Sequence, residues 1–524
     1  MRPLLLTLAL LLLTASLAPA QYVHNPYEPR LNDPKPPELQ FIGYSFTRTT
    51  LTNIMPLNDV IQGQVIGRLF GTNSTQTVDR AALYTEQRFV PMFIYTPDIL
   101  DGYATFRGLF KIDYTYGDQA YGVGNNRGGG LSGGQVNLQT LMANVDLRPP
   151  GRNYNVVLGL QRIFDNARDP NVNTLDLAQT TGYKLSYWGT QGVGATVFWR
   201  PIATTHVRFG AYQLWENIIA RDDDVSLFMA DLLTRPVPKL EWGVNLWYLR
   251  DTASNRGGVS VLGQGLTSAL SEYNGAVRIR IPGNSQEYKA DMFWLGSHAS
   301  WNRDFVEGPW MADGYVMANL GTIAHNGGDL TGRVADVAGV AVNASVQYKY
   351  GMTARDRIWM EVLHTTGDGD GVDDGNLNSV ITGNVWGSPV GIYSAHKAFL
   401  LFPDPQVVSR YYSAVHDISN MGLGVTGLFL NAQRDIIPNR FSARIGTAAA
   451  LSTFSLPGGG NVIGGEVNAE VKYNLKVFLT LGLSGGYAFT GDFYDAPRAT
   501  SPVAETINPI NPWTVFVSLS WLMF

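Results

Sequence analysis

Residues 340–350 read Val-Ala-Val-Asn-Ala-Ser-Val-Gln-Tyr-Lys-Tyr, and this stretch decides the fold. Apolar and polar side chains alternate along it, with Val342, Ala344, Val346, Tyr348 and Tyr350 set against Asn343, Ser345, Gln347 and Lys349. Because successive side chains of a strand point to opposite faces, the stretch predicts a β-strand with one oily and one polar face.

The same alternation recurs along the chain, most clearly in segments 104–114, 277–281 and 466–476. From Gln40 onward, alternating segments of roughly ten residues are separated by Gly, Asn, Asp and Pro, as in membrane barrels. Bacterial single-chain barrels carry an even number of strands. We therefore predict an all-β fold, a transmembrane antiparallel up-and-down β-barrel of about 18 strands.

Composition supports a membrane barrel over a set of soluble domains. The chain contains 57 Gly, 25 Tyr, 23 Phe and 12 Trp, and only 15% of its residues are charged, against roughly 25% in ordinary soluble domains. Beyond the N-terminal leader no apolar run of about 18 residues occurs, so a spanning helix is not predicted and a closed barrel is the remaining way to cross a membrane. The net charge of −5 and the absence of basic runs argue against a nucleic-acid partner.

The N-terminus has the pattern of an export signal. Met1-Arg2-Pro3 is followed by apolar residues 4–17 and by Ala18-Pro19-Ala20, a small-x-small cleavage sequence. We predict a signal peptide at 1–20, a proline-rich periplasmic lead at 21–39 and the barrel at 40–524. The chain has no Cys, which excludes a lipoprotein anchor, disulfides and thiolate metal sites.

The chain ends on an apolar strand, Trp513-Thr-Val-Phe-Val-Ser-Leu-Ser-Trp-Leu-Met-Phe524. A soluble sandwich or propeller would leave such a strand as a sticky edge. The stretch resembles the C-terminal assembly signal of outer-membrane barrels, although its continuous apolar face ends at Met523 rather than at Phe524. This resemblance implies an integral protein of the bacterial outer membrane, with the barrel-assembly machinery, membrane lipid and lipopolysaccharide as partners.

Basic residues predominate on the predicted polar faces. The predicted pore-lining residues are Arg68, Arg107, Lys111, Arg208, Arg278, Arg280, Lys349 and Arg444, with Asp113, Asp146, Glu361, Glu466 and Glu470 among them. Fixed Arg and Lys in a pore favour anions over cations, and the neighbouring Arg278 and Arg280 are the sharpest candidates. The alternative is that these charges pair across neighbouring strands and only solvate the wall.

Two short motifs resemble the alginate-export-type barrels. Residues 157–168, Val-Leu-Gly-Leu-Gln-Arg-Ile-Phe-Asp-Asn-Ala-Arg, are similar to a strand and turn of that family, with Leu160 where the family usually has Arg. The Gly367-Asp-Gly-Asp loop followed by Phe399-Leu-Leu-Phe-Pro403 is similar to its Gly-Asp-rich loop and aromatic segment. The resemblance implies an 18-stranded channel that passes an acidic polysaccharide or smaller anionic solutes through an Arg-lined constriction.

Two other functions stay open at this point. An uptake barrel for hydrophobic compounds would need an apolar pocket in the lumen and an N-terminal plug. A barrel-embedded phospholipase would use His298 and Ser300, which share a strand face at i and i+2. No triad partner is placed convincingly by the sequence, so we predict a channel for hydrophilic, anionic solutes or polysaccharide and no enzyme activity.

One loop has the composition of a cation site. Residues 366–376 are rich in Gly and place Asp368, Asp370 and Asp374 at offsets similar to those of a calcium loop. Leu377 stands where such loops carry a bidentate Glu, so a solvated acidic loop tip is the simpler interpretation. No other cofactor is predicted.

Overall fold

The computed structural model describes residues 37–56, 75–116, 137–164, 188–216, 218–253, 288–326, 332–381, 383–384, 398–401, 420–496 and 510–524. The predicted signal peptide and most of the predicted lead therefore lie outside the described residues. No helix in these ranges is long and apolar enough to cross a membrane.

Twenty strands lie in these ranges. They are β1 (Leu39–Pro56), β2 (Thr75–Tyr95), β3 (Ala104–Tyr116), β4 (Asn137–Leu147), β5 (Tyr154–Phe164), β6 (Trp188–Ile202), β7 (Thr205–Trp215), β8 (Val225–Val237), β9 (Leu240–Asp251), β10 (Tyr288–Trp301), β11 (Trp310–His325), β12 (Arg333–Lys349), β13 (Arg357–Thr365), β14 (Asn376–Leu377), β15 (Gly383–Asn384), β16 (Val425–Ile437), β17 (Phe441–Ser452), β18 (Val462–Lys476), β19 (Leu479–Thr490) and β20 (Trp513–Met523).

The strand pairing closes into a barrel. Each long strand pairs antiparallel with the next one in the chain, β13 pairs with β16, and β20 returns to β1 with Phe516 opposite Thr50. The result is a closed 18-stranded antiparallel β-barrel, as predicted. Closure leaves no unpaired sheet edge. The two-residue strands β14 and β15 are not part of the antiparallel wall. Each pairs parallel with a wall strand, β14 with β12 and β15 with β6.

The two ends of the barrel have different connections. At one end, here called the short-turn end, segments such as 203–204, 238–239 and 477–478 join consecutive strands. At the other, here called the long-loop end, residues 366–424 join β13 to β16. β1 begins and β20 ends on the short-turn side. Outer-membrane barrels place their short turns and both termini in the periplasm, so this arrangement matches theirs.

The outer face is apolar and the inner face is polar at mid-height. On β12, Val340, Val342 and Val346 are 38%, 40% and 43% exposed, whereas Asn343 and Ser345 are buried on the inner side. The predicted parity of 340–350 is therefore confirmed.

The last strand follows the parity expected from its sequence. Val515, Val517, Leu519 and Trp521 are exposed on the outer face, and Phe516 and Leu522 are buried on the inner one. Phe524 follows the strand, and its ring centroid lies 4.8 Å from that of Phe478 in the short turn before β19. The terminal Phe thus packs at the short-turn end instead of extending the apolar stripe.

The inner face is not polar throughout, which corrects the sequence-based expectation. On β9 and β10 the inner residues near the long-loop end are apolar, including the fully buried Trp247, Leu249, Met292 and Trp294. Closer to the short-turn end, the inner residues of the same strands are polar, as at Asn245 and His298. A second apolar cluster, containing Ile42, Tyr44, Phe46, Val90, Met92 and Ile94, covers the inner side of β1 and β2 near the short-turn end.

Candidate functional site

A carboxylate on β8 organises the first charged cluster of the inner wall. The strand register places Arg208, Asp231 and Asn245 opposite one another on β7, β8 and β9. Asp231 accepts hydrogen bonds from Arg208 Nε at 2.6 Å, Asn245 Nδ2 at 2.5 Å and Trp247 Nε1 at 2.7 Å. We call these four residues the Asp231 cluster. The predicted pore cation Arg208 is therefore compensated by a carboxylate in direct contact.

A second carboxylate, Asp146 on β4, is shared by two guanidinium groups. Arg107 on β3 bonds its Oδ2 atom, and Arg148 Nη2 lies 2.7 Å from the same oxygen. Asn155 Nδ2 donates to Oδ1 at 2.7 Å. Among the described residues, two cations thus bond one carboxylate, and the side chain of Arg148 is 40% exposed.

A second carboxylate bonded by two arginines lies at the short-turn end of β9. Glu241 on β9 accepts from Arg235 Nη2 at 2.8 Å and from Arg303 Nη1 at 2.6 Å. The two arginines come from different parts of the chain. Arg235 lies near the end of β8, and Arg303 lies in the turn after β10. Again one carboxylate is bonded by two cations.

Two acids on β11 and β13 place negative charge on the inner wall. Asp313 and Glu361 flank Ser345 in the register of β12. Asp313 accepts from Ser345 Oγ at 3.1 Å and from Gln347 Nε2 at 3.2 Å, and it forms no ion pair within the described ranges. Glu361 accepts from Asn343 Nδ2 at 2.8 Å. Arg357 on β13 donates from Nη1 to Gln347 Oε1 at 3.0 Å in the same sector, so the described residues here comprise two acids and one cation.

Arg444 on β17 has a different environment from Arg208. Its Nη1 donates to the amide oxygens of Asn431 and Asn468, each at 2.8 Å. Its guanidinium carbon lies 5.1 Å from the ring centroid of Phe399, and the nearest Glu470 oxygen is 3.9 Å from Nε. We call Arg444, Asn431, Asn468 and Phe399 the Arg444 cluster. Among the described residues, its direct contacts are therefore two neutral acceptors and an aromatic face.

A glycine makes the Arg444 cluster possible. A Cβ on Gly446 would come within 2.4 Å of Asn431 Oδ1, 2.7 Å of Asn468 Oδ1 and 2.9 Å of Arg444 Nη1. Real Cβ atoms do not approach other atoms so closely, so only glycine leaves room for the guanidinium between the two amides.

Glu466 on β18 holds the long connection between β13 and β16 against the inner wall. Its carboxylate accepts the backbone N–H groups of Phe399 at 2.7 Å, Leu400 at 2.8 Å and Leu401 at 2.8 Å. The side chain of Asn468 adds a bond at 2.8 Å. Because a buried carboxylate needs donors to compensate its desolvation, this arrangement satisfies both the acid and the peptide groups of the loop.

The other end of the connection is anchored across the lumen. Trp294 Nε1 donates to Ile381 O at 2.8 Å, and Ile381 N donates to Asn319 Oδ1 at 3.1 Å. A Cβ on Gly339 would lie 2.4 Å from Ser379 O, so this glycine permits the close approach. We call the described parts of this connection inside the barrel, 376–381, 383–384 and 398–401, the inner loop. It contacts the walls formed by β10–β12 and β17–β20 and pairs with the start of β6.

The two motifs that resemble alginate-export barrels both contribute to the inner wall. Gln161 is buried, accepts from Thr196 Oγ1 at 2.7 Å and donates to Val157 O at 3.1 Å. Phe399 belongs to the inner loop, as described above. Residues 165–168 and 402–403 lie outside the described residues, and the family assignment stays a prediction.

Several predicted pore residues cannot be placed. Arg68, Arg278 and Arg280 lie outside the described residues, and for Lys111 and Asp113 the structure describes only their backbone in β3. Lys349 is half-buried, with Nζ 5.9 Å from the ring centroid of Phe305 in the turn after β10. The proposed importance of the Arg278 and Arg280 pair therefore stays a prediction.

The acidic loop is organised by Asp368. This carboxylate accepts from the backbone N–H groups of Asp370 at 3.1 Å, Gly371 at 2.7 Å and Asn378 at 2.8 Å. Asp374 Oδ1 accepts from Asn376 N at 2.8 Å. The two acids cap turns of the loop, which favours the simpler interpretation. The calcium site of Asp368, Asp370 and Asp374 stays a prediction.

Another acidic group comes together in the connection between β7 and β8. Ligand atoms of Glu216, Asp223 and Asp224 all lie within 4.8 Å of one another. A hydrogen bond to the Asp224 carboxylate is the main cause that raises the pKa of Glu216 above its ordinary value. In the sequence, only the acidic run at 222–224 marks this set, and a run of three acids by itself does not indicate that Glu216 joins them.

The pair considered for a hydrolase shares a face without forming a catalytic contact. His298 and Ser300 both point inward from β10, but His298 Nε2 and Ser300 Oγ are buried without a hydrogen-bond partner in the described part of the chain. The imidazole lies over Gly243, where a Cβ would be 2.1 Å from Nε2. A serine nucleophile needs its base within hydrogen-bond reach, and this geometry does not provide it.

Comparison with known proteins yields structural likenesses only. No family model and no curated protein matches the chain. Among solved structures it is similar to OpdL of Pseudomonas aeruginosa, with a TM-score of 0.48, 10% identity and coverage of 93% of this chain and 99% of that one. It is also similar to OccK2 (OpdF) of Pseudomonas aeruginosa, with a TM-score of 0.47, 11% identity and coverage of 93% and 98%. OccAB4 of Acinetobacter baumannii gives a TM-score of 0.46, 9% identity and coverage of 92% and 98%. The strand pairing of this chain establishes the barrel independently of these likenesses.

Proposed function

We propose that this chain is an outer-membrane channel for small hydrophilic solutes, with a mild preference for anions. The observation that carries the proposal is a closed barrel whose outer face is apolar and whose inner face is polar at mid-height. In water the outer face would be a very large apolar patch, whereas in a membrane it is matched by lipid. The assembly machinery and lipid of the outer membrane are the partners that such a barrel requires.

The position of the inner loop in the lumen favours passage of small solutes over passage of a polymer. It is bonded to Glu466 on one side and to Trp294 and Asn319 on the other, so it occupies lumen space with both attachments formed. A polysaccharide would need a continuous wide path past this loop. Export of an acidic polysaccharide is therefore the less favoured form of the proposal.

The preference for anions rests on the stoichiometry of the charged clusters. Among the described residues, Asp146 and Glu241 are each bonded by two arginines, and Arg444 donates to two neutral amide oxygens with the nearest Glu470 oxygen 3.9 Å away. Asp313 and Glu361 offset part of this charge, which is why the preference is expected to be mild. Fixed cations in a pore lower the energy of a passing anion without any moving part.

Planar-bilayer recording of the purified barrel tests the proposal. We expect stepwise conductance in KCl and, under a salt gradient, a reversal potential displaced toward the equilibrium potential of chloride. Arg434→Ala, which removes a cation from the outer face, should leave the reversal potential unchanged. A preparation that is folded but never conducts would contradict the channel, and a reversal potential displaced toward potassium would contradict the anion preference.

The second apolar cluster supports one alternative, uptake of hydrophobic compounds. Ile42, Tyr44, Phe46, Val90 and Met92 form an apolar surface on the inner wall near the short-turn end. If this surface binds a substrate, an apolar compound should reduce the single-channel current, and Phe46→Ser together with Met92→Ser should weaken the block. A current that no apolar compound affects would remove this alternative.

A further inference from the structure

Three aromatic rings form a stack on the outer face of the barrel near its long-loop end. Phe228, Tyr248 and Phe293 stand opposite one another on β8, β9 and β10. Ring centroids are 6.1 Å apart between Phe228 and Tyr248 and 4.7 Å apart between Tyr248 and Phe293. Aromatic side chains on a lipid-facing wall concentrate at the level of the headgroups, because one end of the ring is apolar and the other polar.

A polar cavity lies directly beyond the stack on its long-loop side. It measures 220 Å³, and its lining includes Asp222, Arg250, Thr252, Lys289, Asp291 and Asn326. Tyr248 Oη donates to Asp291 Oδ1 at 2.6 Å, so the ring stack and the cavity are connected by a hydrogen bond. Apolar rings and a polar cavity therefore follow one another on the same outer surface.

The charges in the cavity are available to a ligand. Lys289 forms no ion pair within the described ranges, and Arg250 pairs with Asp222 at 2.7 Å where both side chains are exposed, 49% and 66%. Exposed pairs of this kind are weak and exchange readily for a better anion. The carboxylate of Asp291, which accepts from Tyr248 Oη at one oxygen, offers acceptors suited to sugar hydroxyls.

We propose that this surface binds the phosphorylated sugar headgroup of an outer-leaflet glycolipid. Lys289 and Arg250 contact the phosphate, the carboxylate of Asp291 contacts the sugar hydroxyls, and the acyl chains run along Phe228, Tyr248 and Phe293. The inference rests on the proposed location in the outer membrane but not on solute conduction. It assigns to one position of the wall the lipopolysaccharide contact that the sequence led us to expect in general terms.

Native mass spectrometry of the full-length detergent-solubilised barrel tests the site. The probes are bisphosphorylated lipid A, monophosphoryl lipid A and phosphatidylglycerol. Arg250→Ala combined with Lys289→Ala should weaken lipid A binding roughly thirtyfold, because each cation near a lipid phosphate contributes about 1 kcal/mol. Arg434→Ala is the matched control, since it removes an outer-face cation near the short-turn end and should leave binding unchanged.

Each outcome decides a separate point. Equal lipid A binding by the wild type, the double variant and Arg434→Ala would overturn the site. Phosphatidylglycerol binding as tightly as lipid A would overturn recognition of the sugar and leave only a phosphate contact. Conductance recorded on the same samples separates the two proposals, since a barrel that binds lipid A selectively without conducting keeps the lipid site and loses the channel.

Discussion

The Asp231 cluster and the Arg444 cluster place the same residue type on the inner wall with opposite electrostatic results. Arg208 and Arg444 are 7% and 4% exposed, and both point inward from strands of the same barrel. Arg208 is bonded to a carboxylate, so its field is largely cancelled. Arg444 donates to two amide oxygens and lies over an aromatic ring, and the nearest Glu470 oxygen is 3.9 Å away, so among the described residues its charge is cancelled less directly. Each arginine has a carboxylate opposite it on the neighbouring strand, Asp231 for Arg208 and Glu470 for Arg444, so the contact between the side chains sets the difference and not the register alone.

The largest effect is expected where the Arg444 side of the wall holds the inner loop. Glu466→Gln replaces one acceptor oxygen with a donor, so either the N–H group of Phe399 or those of Leu400 and Leu401 lose their acceptor. Hydrogen bonds to charged groups contribute about 1.5–3 kcal/mol each, so the inner loop should detach and the single-channel conductance should rise with added noise.

Glu470→Gln provides the control for this experiment. It changes a carboxylate on the same face of β18 that lies 3.0 Å from Lys472 Nζ and 3.9 Å from Arg444 Nε, whereas the N–H groups of 399–401 bond to Glu466. Its conductance should stay close to that of the wild type. Quiet, unchanged currents in Glu466→Gln would show that the carboxylate does not hold the loop.

The second prediction compares the two arginines directly. Asp231→Asn keeps the shape of the side chain and removes the compensating charge from Arg208, so the reversal potential should move toward that of chloride. Arg444→Gln should move it in the opposite direction, with Arg434→Gln on the outer face as a neutral reference. Equal displacement in the same direction by both inner variants would refute the distinction between the clusters.

The third prediction concerns the space around Arg444. Gly446→Ala places a methyl group where Asn431, Asn468 and Arg444 converge, and overpacking of this kind costs about 1–3 kcal/mol. The anion preference should fall because the guanidinium is displaced. Gly465→Ala is a suitable control, since its added Cβ would meet only Ala448 O at 3.5 Å, and a similar loss in both variants would point to a general effect of alanine.

The smallest effect is expected from Asp356, in the turn that joins β12 to β13 and supports β16. Burial alone would raise its pKa, but backbone N–H groups of Thr353, Asp435 and Met352 outweigh this and lower the pKa below its ordinary value. A lowered pKa in the folded state means that the stabilisation is fully present above about pH 3.9 and is lost as the pH falls further.

Thermal unfolding of the barrel between pH 6 and pH 2.5 measures this contribution. The wild type should lose stability below about pH 3.9, and Asp356→Asn should be less stable at pH 6 and show a shallower decline. Parallel curves for the two proteins would exclude Asp356 as a source of the pH dependence.

Local alternation explains how much of this molecule was predictable. The inward and outward faces of 340–350 and 513–523 follow from the side chains of one strand, without any knowledge of its neighbours. The partner of Arg208 does not, because Asp231 belongs to another strand and meets Arg208 only in the observed register. Phe399–Leu401 carry no alternating signal, so nothing in that stretch indicated that its N–H groups would bind Glu466.

By itself the sequence determined that the chain is a barrel, that alternate side chains of 340–350 and 513–523 face outward and inward, and that Arg107, Arg208 and Arg444 point to the inner wall. These properties depend on the two-residue period of a strand, which is a local feature. Only the tertiary structure decided which charges are cancelled, where the inner wall becomes apolar and which carboxylate holds the inner loop. Those properties depend on register and on a connection folding back into the lumen, and both bring together residues that are far apart in the chain.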